Sequence, residues 1–342
     1  MIFLRKILFP FAILYGWITQ FRNFLYDKGI LKSYSFDIPI IAVGNLSVGG
    51  TGKTPQIEYL IRLLSTNYCV ASLSRGYKRQ SMGFILANEF STAATLGDEP
   101  YQMHLKFPNI QVAVDADRKN GIEQLLIQKY KPEVIVLDDA FQHRRVQAGF
   151  YILLTTFDAL YVDDFMLPTG NLRESKSGAD RADLIIVTKC SSAIKEAEMK
   201  VVKNKLNIDK QIFFSTISHT DSVYSLESSL KVHELQSIPK LLIAGIANPK
   251  AFFDYLKNEG DEIMAFPDHH YFSASDLERI KKSAGNRRII TTEKDFVRLK
   301  EHFPPSQLFY LPIKTKLISD GDQLDQIILN YVGKSTRKSV SN

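Results

Sequence analysis

The residues best suited to chemistry lie in one glycine-rich turn, Val43-Gly-Asn-Leu-Ser-Val-Gly-Gly-Thr-Gly-Lys-Thr-Pro55. Glycines let successive backbone N–H groups curl around an anion, and a lysine behind them can reach the β- and γ-phosphates of a nucleotide. A threonine directly after that lysine places a hydroxyl where it can bind Mg²⁺. The turn therefore predicts a nucleotide site formed by Ser47, Gly49, Gly50, Thr51, Gly52, Lys53, Thr54 and Pro55.

The segments on either side of the turn support this interpretation. An apolar run at 38–43 predicts a strand before the turn, and apolar residues at 57, 60, 61 and 64 have the spacing of a helix after it. Ser47 departs from the usual pattern, which has glycine at that position. The alternative is a glycine-rich turn that precedes a lysine by chance, but strand, turn and helix follow one another in the order that a phosphate-binding loop requires.

Carboxylates at two further places could bind a metal ion. The apolar run 134–137 leads directly into Asp138 and Asp139, and a strand that ends in acid beside a phosphate loop orients Mg²⁺ and its waters. Asp98 and Glu99 open a predicted helix, where they could act as a base and a metal-linked acid or simply favour the helix dipole. We predict a Mg²⁺ site formed by Thr54, Glu99, Asp138 and Asp139.

Three arginines are candidates for contact with a phosphate, because a planar guanidinium matches phosphate oxygens. Arg75 follows a predicted strand at 70–73, Arg118 follows a short apolar stretch, and Arg173 lies with Glu174 in the loop 167–174. Residues at the carboxyl ends of strands in such sheets commonly face ligands. For Arg75 an ordinary surface arginine beside a turn glycine is an equal alternative.

The nucleotide is predicted to be ATP. Thr188-Lys189 resembles the element with which guanine-nucleotide proteins read the base, but position 191 is Ser where that element has Asp. The carboxylate that would recognise guanine is therefore missing, and an adenine nucleotide is favoured.

Composition limits the class of protein. The 342 residues are 45% hydrophobic and 23% charged, as in a globular protein of two domains. The net charge of +6 suits an acidic membrane surface or a phosphorylated substrate, and no finger spacing or RNA-stacking motif favours nucleic acid. Cys69 and Cys190 form no disulfide framework and fit a reducing compartment. No obligate protein partner is evident.

The first 30 residues predict an amphipathic helix. Their most apolar part, 7–17, is shorter than the about 20 residues that span a bilayer. A signal peptide, a core helix and a helix lying in the membrane interface are the three alternatives. No small-residue cleavage site follows, and Tyr15, Trp17 and Tyr26 with flanking basic residues favour the interfacial helix. The apolar stripe consists of Leu4, Ile7, Leu8, Phe11, Leu14, Ile18, Phe21 and Leu25.

Strands alternate with helices along the rest of the chain, which predicts an α/β fold with parallel sheets. We expect an N-terminal membrane-interface helix at 1–30 and a phosphate-loop NTPase-type parallel sheet with flanking helices at 31–218. A second, smaller α/β domain that closes over the nucleotide follows at 219–333, and a basic flexible tail at 334–342.

Several motifs spread over nearly the whole chain are informative in combination. They are the glycine-rich turn, Ser74-Arg-Gly-Tyr77, Gly97-Asp-Glu-Pro100, Leu137-Asp-Asp-Ala-Phe-Gln-His143, Leu167-Pro-Thr-Gly-Asn-Leu-Arg-Glu174, Phe266-Pro-Asp-His-His270 and Thr291-Thr-Glu-Lys-Asp295. Together they resemble one family, the tetraacyldisaccharide 4′-kinases, which are the lipid A 4′-kinases of Gram-negative bacteria. The Ser47 departure looks like this family's own form of the loop, and Ala140 stands where the family suggests glycine.

The resemblance implies ATP-dependent phosphorylation of the 4′-hydroxyl of a tetraacyl glucosamine disaccharide 1-phosphate, giving lipid IVA at the cytoplasmic face of the inner membrane. It also implies that Asp98 and a histidine act as a catalytic dyad, with His269 preferred and His270 as the fallback. Lys53 and Arg118 would complete the catalytic set. Arg75, Arg173 and Glu174 would contact the substrate.

Two other functions remain as alternatives. A GTPase or metallochaperone-type nucleotide switch at the membrane would use the same loop without a substrate hydroxyl, and nucleotide preference would distinguish it. A non-catalytic membrane-associated binding protein would show no ATP turnover with the lipid acceptor.

Overall fold

The computed structural model describes residue 5, residues 7–268 and residues 270–340, and strands and helices alternate along most of this range. The strands are β1 (Ile40–Asn45), β2 (Val70–Ser74), β3 (Ile85–Leu86), β4 (Gln111–Val114), β5 (Val134–Asp138), β6 (Phe150–Thr156), β7 (Leu184–Thr188), β8 (Gln211–His219), β9 (Ser222–Tyr224), β10 (Ser229–Lys231), β11 (Leu241–Ala244), β12 (Glu262–Ala265), β13 (Ile289–Thr292), β14 (Leu308–Leu311) and β15 (Ile313–Leu317). The helices are α1 (Phe9–Asp27), α2 (Lys53–Leu64), α3 (Ala93–Leu96), α4 (Asp98–Lys106), α5 (Arg118–Leu126), α6 (Glu196–Leu206), α7 (Lys250–Leu256), α8 (Ala274–Ala284), α9 (Glu293–Leu299) and α10 (Gly321–Val340).

The larger sheet has the strand order β15-β8-β7-β6-β1-β5-β2-β4-β3. Its central strands are parallel, whereas β15 and β3 pair antiparallel with their neighbours. All residues of β1 and β2 are buried, as expected for parallel strands covered by helices on both faces. The α/β fold class predicted from the sequence is confirmed.

The smaller sheet has the order β10-β9-β14-β13-β11-β12. Strands β11, β12, β13 and β14 are parallel, and β9 and β10 add an antiparallel edge. Buried aromatic residues of α7, α8 and α9 and their flanking loops cover the two faces. They include Phe252, Phe253, Phe266, Phe272 and Phe296.

The end of the chain returns to the larger sheet, so the predicted boundaries of the second domain need correction. Strand β15 pairs with β8, and α10 packs Leu324, Ile328 and Val332 into the core beside β1. The Tyr331 hydroxyl also bonds to the backbone of Ile40. Helical periodicity shows that α10 has an apolar face but not which sheet buries that face. Residues 334–340, predicted as part of a flexible tail, continue α10, and 341–342 lie outside the described residues.

Helix α1 lies on the larger domain through small residues. Ala12, Gly16 and Thr19 are its buried positions, and the Tyr15 hydroxyl donates to the Arg173 carbonyl at 3.0 Å. Large apolar side chains on its other faces are exposed, and Trp17 is 68% accessible. Within the described part of the chain, no helix has the length and apolar character needed to cross a membrane. Of the predicted stripe, Leu4 lies outside the described residues.

Candidate functional site

The phosphate loop joins β1 to α2 and has the backbone conformation that its glycines allow. Gly49 has φ +109° and Gly52, which caps α2, has φ +84°, a region in which an L side chain would be strained. The buried Thr188 hydroxyl donates to the Thr51 carbonyl at 2.7 Å and ties the loop to β7. Lys53, Thr54 and Pro55 form the first turn of α2, so their side chains lie at the positive end of that helix.

Lys53 lies in a cluster at the carboxyl ends of the adjacent strands β1 and β5. Its Nζ is 3.4 Å from Asn45 Oδ1 and 3.7 Å from Asp139 Oδ1. Arg173 donates to both oxygens of Asp139, at 3.1 and 2.8 Å, and to the Asn45 carbonyl at 3.1 Å. Burial opposes ionisation of Asp139, but the bond from Arg173 and the charge of Lys53 outweigh it and lower its pKa. Two cations and one carboxylate therefore converge where nucleotide phosphates would lie.

Three of the four predicted metal ligands lie together, whereas the fourth, Asp139, is bound by Arg173 and Lys53. The Thr54 hydroxyl donates to Glu99 Oε2 at 3.0 Å, which leaves its oxygen lone pairs available to a cation. Thr54, Glu99 and Asp138 line one small hollow together with Ser72 and Ser74.

These residues fit a Mg²⁺ ion. Asp138 Oδ1 is buried without a hydrogen-bond partner, and burial followed by the charges of Glu99 and Asp139 raises the Asp138 pKa to about 7. A bound cation would satisfy that oxygen and favour the ionised carboxylate. Among the described residues no three His, Cys, Asp or Glu side chains form a metal cluster by themselves. Mg²⁺ is usually held by one or two carboxylates with substrate phosphates, so this ligand set is sufficient.

Arg118 and Arg75 occupy different environments. Arg118 is only 2% exposed and donates to the carbonyls of Asp115 and Asp138, at 2.9 and 3.2 Å, so it fixes the ends of β4 and β5. Its burial lowers the guanidinium pKa to about 10. This geometry favours a positioning role for Arg118 over the predicted direct catalytic contact. Arg75 is exposed at the end of β2, with no hydrogen bond or ion pair to another described residue.

Glu174 is enclosed by other side chains, which argues against its predicted role as a substrate contact. Its side chain is 0% exposed. Arg181 donates to both of its oxygens at 2.9 and 2.8 Å, and Gln142 and Asn23 donate at 2.8 and 3.0 Å. Both oxygens of the Glu174 carboxylate are thus occupied by donors, and the carboxylate links Asn23 of α1 to the segments that carry Gln142 and Arg181.

Asp98 begins α4 and pairs with a residue of the smaller domain. Arg298 of α9 donates through Nε to Asp98 Oδ2 at 3.2 Å and through Nη2 to the same oxygen. Its Nη1 donates to the His270 carbonyl at 3.3 Å. His269 lies outside the described residues. The His270 ring binds Asp276 at 3.0 Å, so this fallback histidine is held by α8.

Sequence reasoning missed Asn45 and Arg298. Asn45 lies inside the glycine-rich turn, where its amide could have been recognised as a polar group at the end of a strand. Arg298 is 200 positions from Asp98, and no spacing rule links two residues so far apart.

The comparisons with known proteins agree with this geometry. The family model described as tetraacyldisaccharide-1-P 4′-kinase matches residues 4–333. A Flavobacterium johnsoniae protein named tetraacyldisaccharide 4′-kinase is 63% identical over 332 residues, covering 96% of this chain and 97% of that protein. The chain belongs to the tetraacyldisaccharide 4′-kinase family.

More distant members of this family also match this chain over nearly its whole length. A Bacteroides thetaiotaomicron tetraacyldisaccharide 4′-kinase is 44% identical, with 98% of this chain and 95% of that protein covered. The crystal structure of LpxK from Aquifex aeolicus in complex with ATP superposes with a TM-score of 0.79 at 33% identity, covering 96% of this chain and 99% of that one.

Family membership confirms the resemblance and makes the chain a kinase that binds ATP. The alternative of a GTPase or metallochaperone-type switch is not favoured. The roles of individual site residues stay predictions.

Proposed function

We propose that this kinase transfers the γ-phosphoryl group of ATP to the 4′-hydroxyl of a tetraacyl disaccharide 1-phosphate, a lipid A precursor. The observation that carries the proposal is the convergence of Lys53, Thr54, Asp138 and Asp139 beside the acidic start of α4, in a chain of this family. Phosphoryl transfer needs little covalent chemistry from the protein, which must position the groups and neutralise charge.

The nucleotide phosphates would bind at the N-terminus of α2. The loop amides and the Lys53 ammonium would contact the β- and γ-phosphates, because both lie at the positive end of that helix. Thr54, Glu99 and Asp138, with Asp139 beside them, would hold Mg²⁺. When bound, Mg²⁺ would offset the negative charge of the phosphates.

Asp98 is the proposed general base. It lies directly before Glu99 on α4, and its carboxylate would accept the proton of the attacking hydroxyl. The resemblance assigns His269 the task of orienting Asp98. Arg173 and the exposed Arg75 supply guanidinium groups for phosphate oxygens, and the bidentate bond of Arg173 to Asp139 keeps its charge beside the phosphate loop.

The lipid acceptor suggests where the kinase works. Exposed apolar side chains of α1, including Trp17, Phe21 and Phe11, would enter the interfacial layer of the inner membrane from its cytoplasmic face. The net charge of +6 would favour a surface rich in anionic lipid. Acyl chains of the acceptor could then remain partly in the bilayer during transfer.

Transfer from γ-³²P-ATP to the purified disaccharide 1-phosphate tests this function. We expect a labelled lipid with a new phosphomonoester at the 4′ position, formed with ATP in preference to GTP. The Lys53→Met variant should fold normally and give no labelled lipid at saturating ATP. Release of inorganic phosphate without labelled lipid, or normal transfer by Lys53→Met, would contradict the proposal.

A further inference from the structure

Arg298 joins three parts of the molecule through one guanidinium. Its Nε and Nη2 bind Asp98 on α4, and its Nη1 binds the His270 carbonyl in the loop after β12. The side chain is 15% exposed, so these contacts are largely shielded from water. We infer that Arg298 is a positioning residue that sets Asp98 against His270, in the loop after β12 of the smaller domain. The inference rests on the proposed role of Asp98 as general base.

A carboxylate on its own helix, α9, also holds the Arg298 side chain in place. Its Nη1 lies 3.7 Å from Asp295 Oδ1, one turn earlier on α9. Asp295 is fully buried, and its other oxygen accepts hydrogen bonds from the Gly245 amide and the Thr292 hydroxyl, both at 2.7 Å. Arg298 is therefore anchored to the end of β11, and a rigidly held guanidinium can orient the carboxylate that it binds.

The helices α4 and α9 do not depend on Arg298 to stay together. Lys106, at the far end of α4, pairs with Glu293 at the start of α9. Lys300, directly after α9, donates to the hydroxyl of Tyr101 on α4 at 2.6 Å, and Val297 of α9 shares an apolar cluster with Tyr101. Because these contacts hold the helix pair, removing Arg298 should release Asp98 without separating the domains.

Orientation matters at this position because Asp98 is the first residue of its helix. The carboxylate has no partner on its own helix, and Arg298 supplies its hydrogen bonds from another domain. A displacement of about 1 Å in a reacting group can cost on the order of 100-fold in rate. Arg298 thus makes the geometry of Asp98 dependent on the position of the smaller domain.

Kinetics of Arg298→Ala and Arg298→Lys test this inference. We expect Arg298→Ala to lower kcat by about 10- to 100-fold with an unchanged KM for ATP. Its Tm should fall, because the buried carboxylate of Asp295 and that of Asp98 lose their cationic partner. Arg298→Lys should recover part of kcat, since an ammonium can bind Asp98 but cannot also fork to the His270 carbonyl. The matched control is Lys300→Met, which removes the hydrogen bond from Lys300 to Tyr101 of α4 and should keep kcat.

Coupling to Asp98 distinguishes positioning from a general structural effect. In an Asp98→Asn background, Arg298→Ala should cause no further loss of kcat, because the group that it positions is already disabled. Full kcat in Arg298→Ala, or losses that multiply in the double variant, would overturn the inference.

Hydrogen exchange gives a readout that does not depend on the proposed function. Peptides that cover 262–272 should exchange faster in Arg298→Ala than in the wild type, whereas Lys300→Met should leave them unchanged. Unchanged exchange in Arg298→Ala would overturn the inference even if the wild type failed to phosphorylate the lipid. Absence of lipid phosphorylation by the wild type would contradict the proposed function alone.

Discussion

The Lys106 ammonium lies 2.6 Å from the Glu58 carboxylate, which joins the helix that carries Asp98 to the helix that carries Lys53. The same ammonium also binds Glu293 of the smaller domain. Three helices, α2, α4 and α9, therefore meet at one cluster of two carboxylates and two cations, because the Arg62 guanidinium of α2 also binds Glu58 at 2.7 Å. The protonation state of its carboxylates therefore affects the contact between the two domains.

The Glu293 carboxyl predicts a pH dependence of stability. Burial, and then the charge of Glu58, raise its pKa from its ordinary value of 4.5 to about 7. Because the folded-state pKa is raised, the contribution of Glu293 to stability is fully present below about pH 4.5 and is lost as the pH rises through about 7. Glu293→Gln keeps the shape without the charge and leaves Lys106 paired with Glu58, so it should become more stable relative to the wild type at pH 8 than at pH 5. The expected change is on the order of 2 kcal/mol.

Urea unfolding of both proteins at pH 5 and pH 8 measures this change. Glu262→Gln is the control, because the bonds from Ser283 and Arg287 lower the Glu262 pKa and place its effect at acidic pH. A Glu293→Gln stability difference that is the same at both pH values would show that Glu293 is ionised throughout.

We expect substitution of Glu174 to lower the stability of the protein rather than its affinity for the substrate. Glu174→Ala would leave the Arg181 guanidinium without its carboxylate and remove the acceptor of Asn23 and Gln142. Breaking such a buried pair should lower the free energy of unfolding by about 3–5 kcal/mol. Urea unfolding measures the loss. A variant of wild-type stability with a raised KM for the lipid would instead indicate a substrate contact.

The sequence predicted the nucleotide side of the site because its signals are local. Strand, glycines, lysine and threonine follow one another between β1 and α2, and the acidic end of β5 is visible as an apolar run that meets Asp138. Partners brought together by folding could not be read in this way. The pairing of Asp98 with Arg298, the burial of Glu174 and the return of α10 to the larger sheet depend on which surfaces meet. Hydrophobic periodicity does not encode that choice.

The exposed face of α1 predicts membrane binding. Trp17 and Phe21 are exposed by 68% and 63%. Each large apolar side chain contributes about 1.5–3 kcal/mol when it leaves water. Trp17→Ser combined with Phe21→Ser should therefore weaken binding to vesicles that contain anionic phospholipid by at least about 10-fold, with ATP affinity unchanged.

A vesicle flotation assay measures this binding. The control combines Ile127→Ser with Tyr130→Ser, which removes two similarly exposed apolar residues elsewhere on the surface. Equal losses in both double variants would mean that binding is not specific to α1, and no loss in either would contradict the interfacial helix.

The role of Asp98 is the central claim of this account, and single-turnover phosphoryl transfer by Asp98→Asn tests it most directly. Asparagine keeps the shape of the side chain and can still face Arg298, but it cannot accept the hydroxyl proton. We predict that the transfer rate falls by about 10²–10⁴-fold while the Kd for ATP is unchanged, because Asp98 is not assigned to the nucleotide. An Asp98→Asn variant that retains most of the wild-type rate would contradict the assignment of Asp98 as the base.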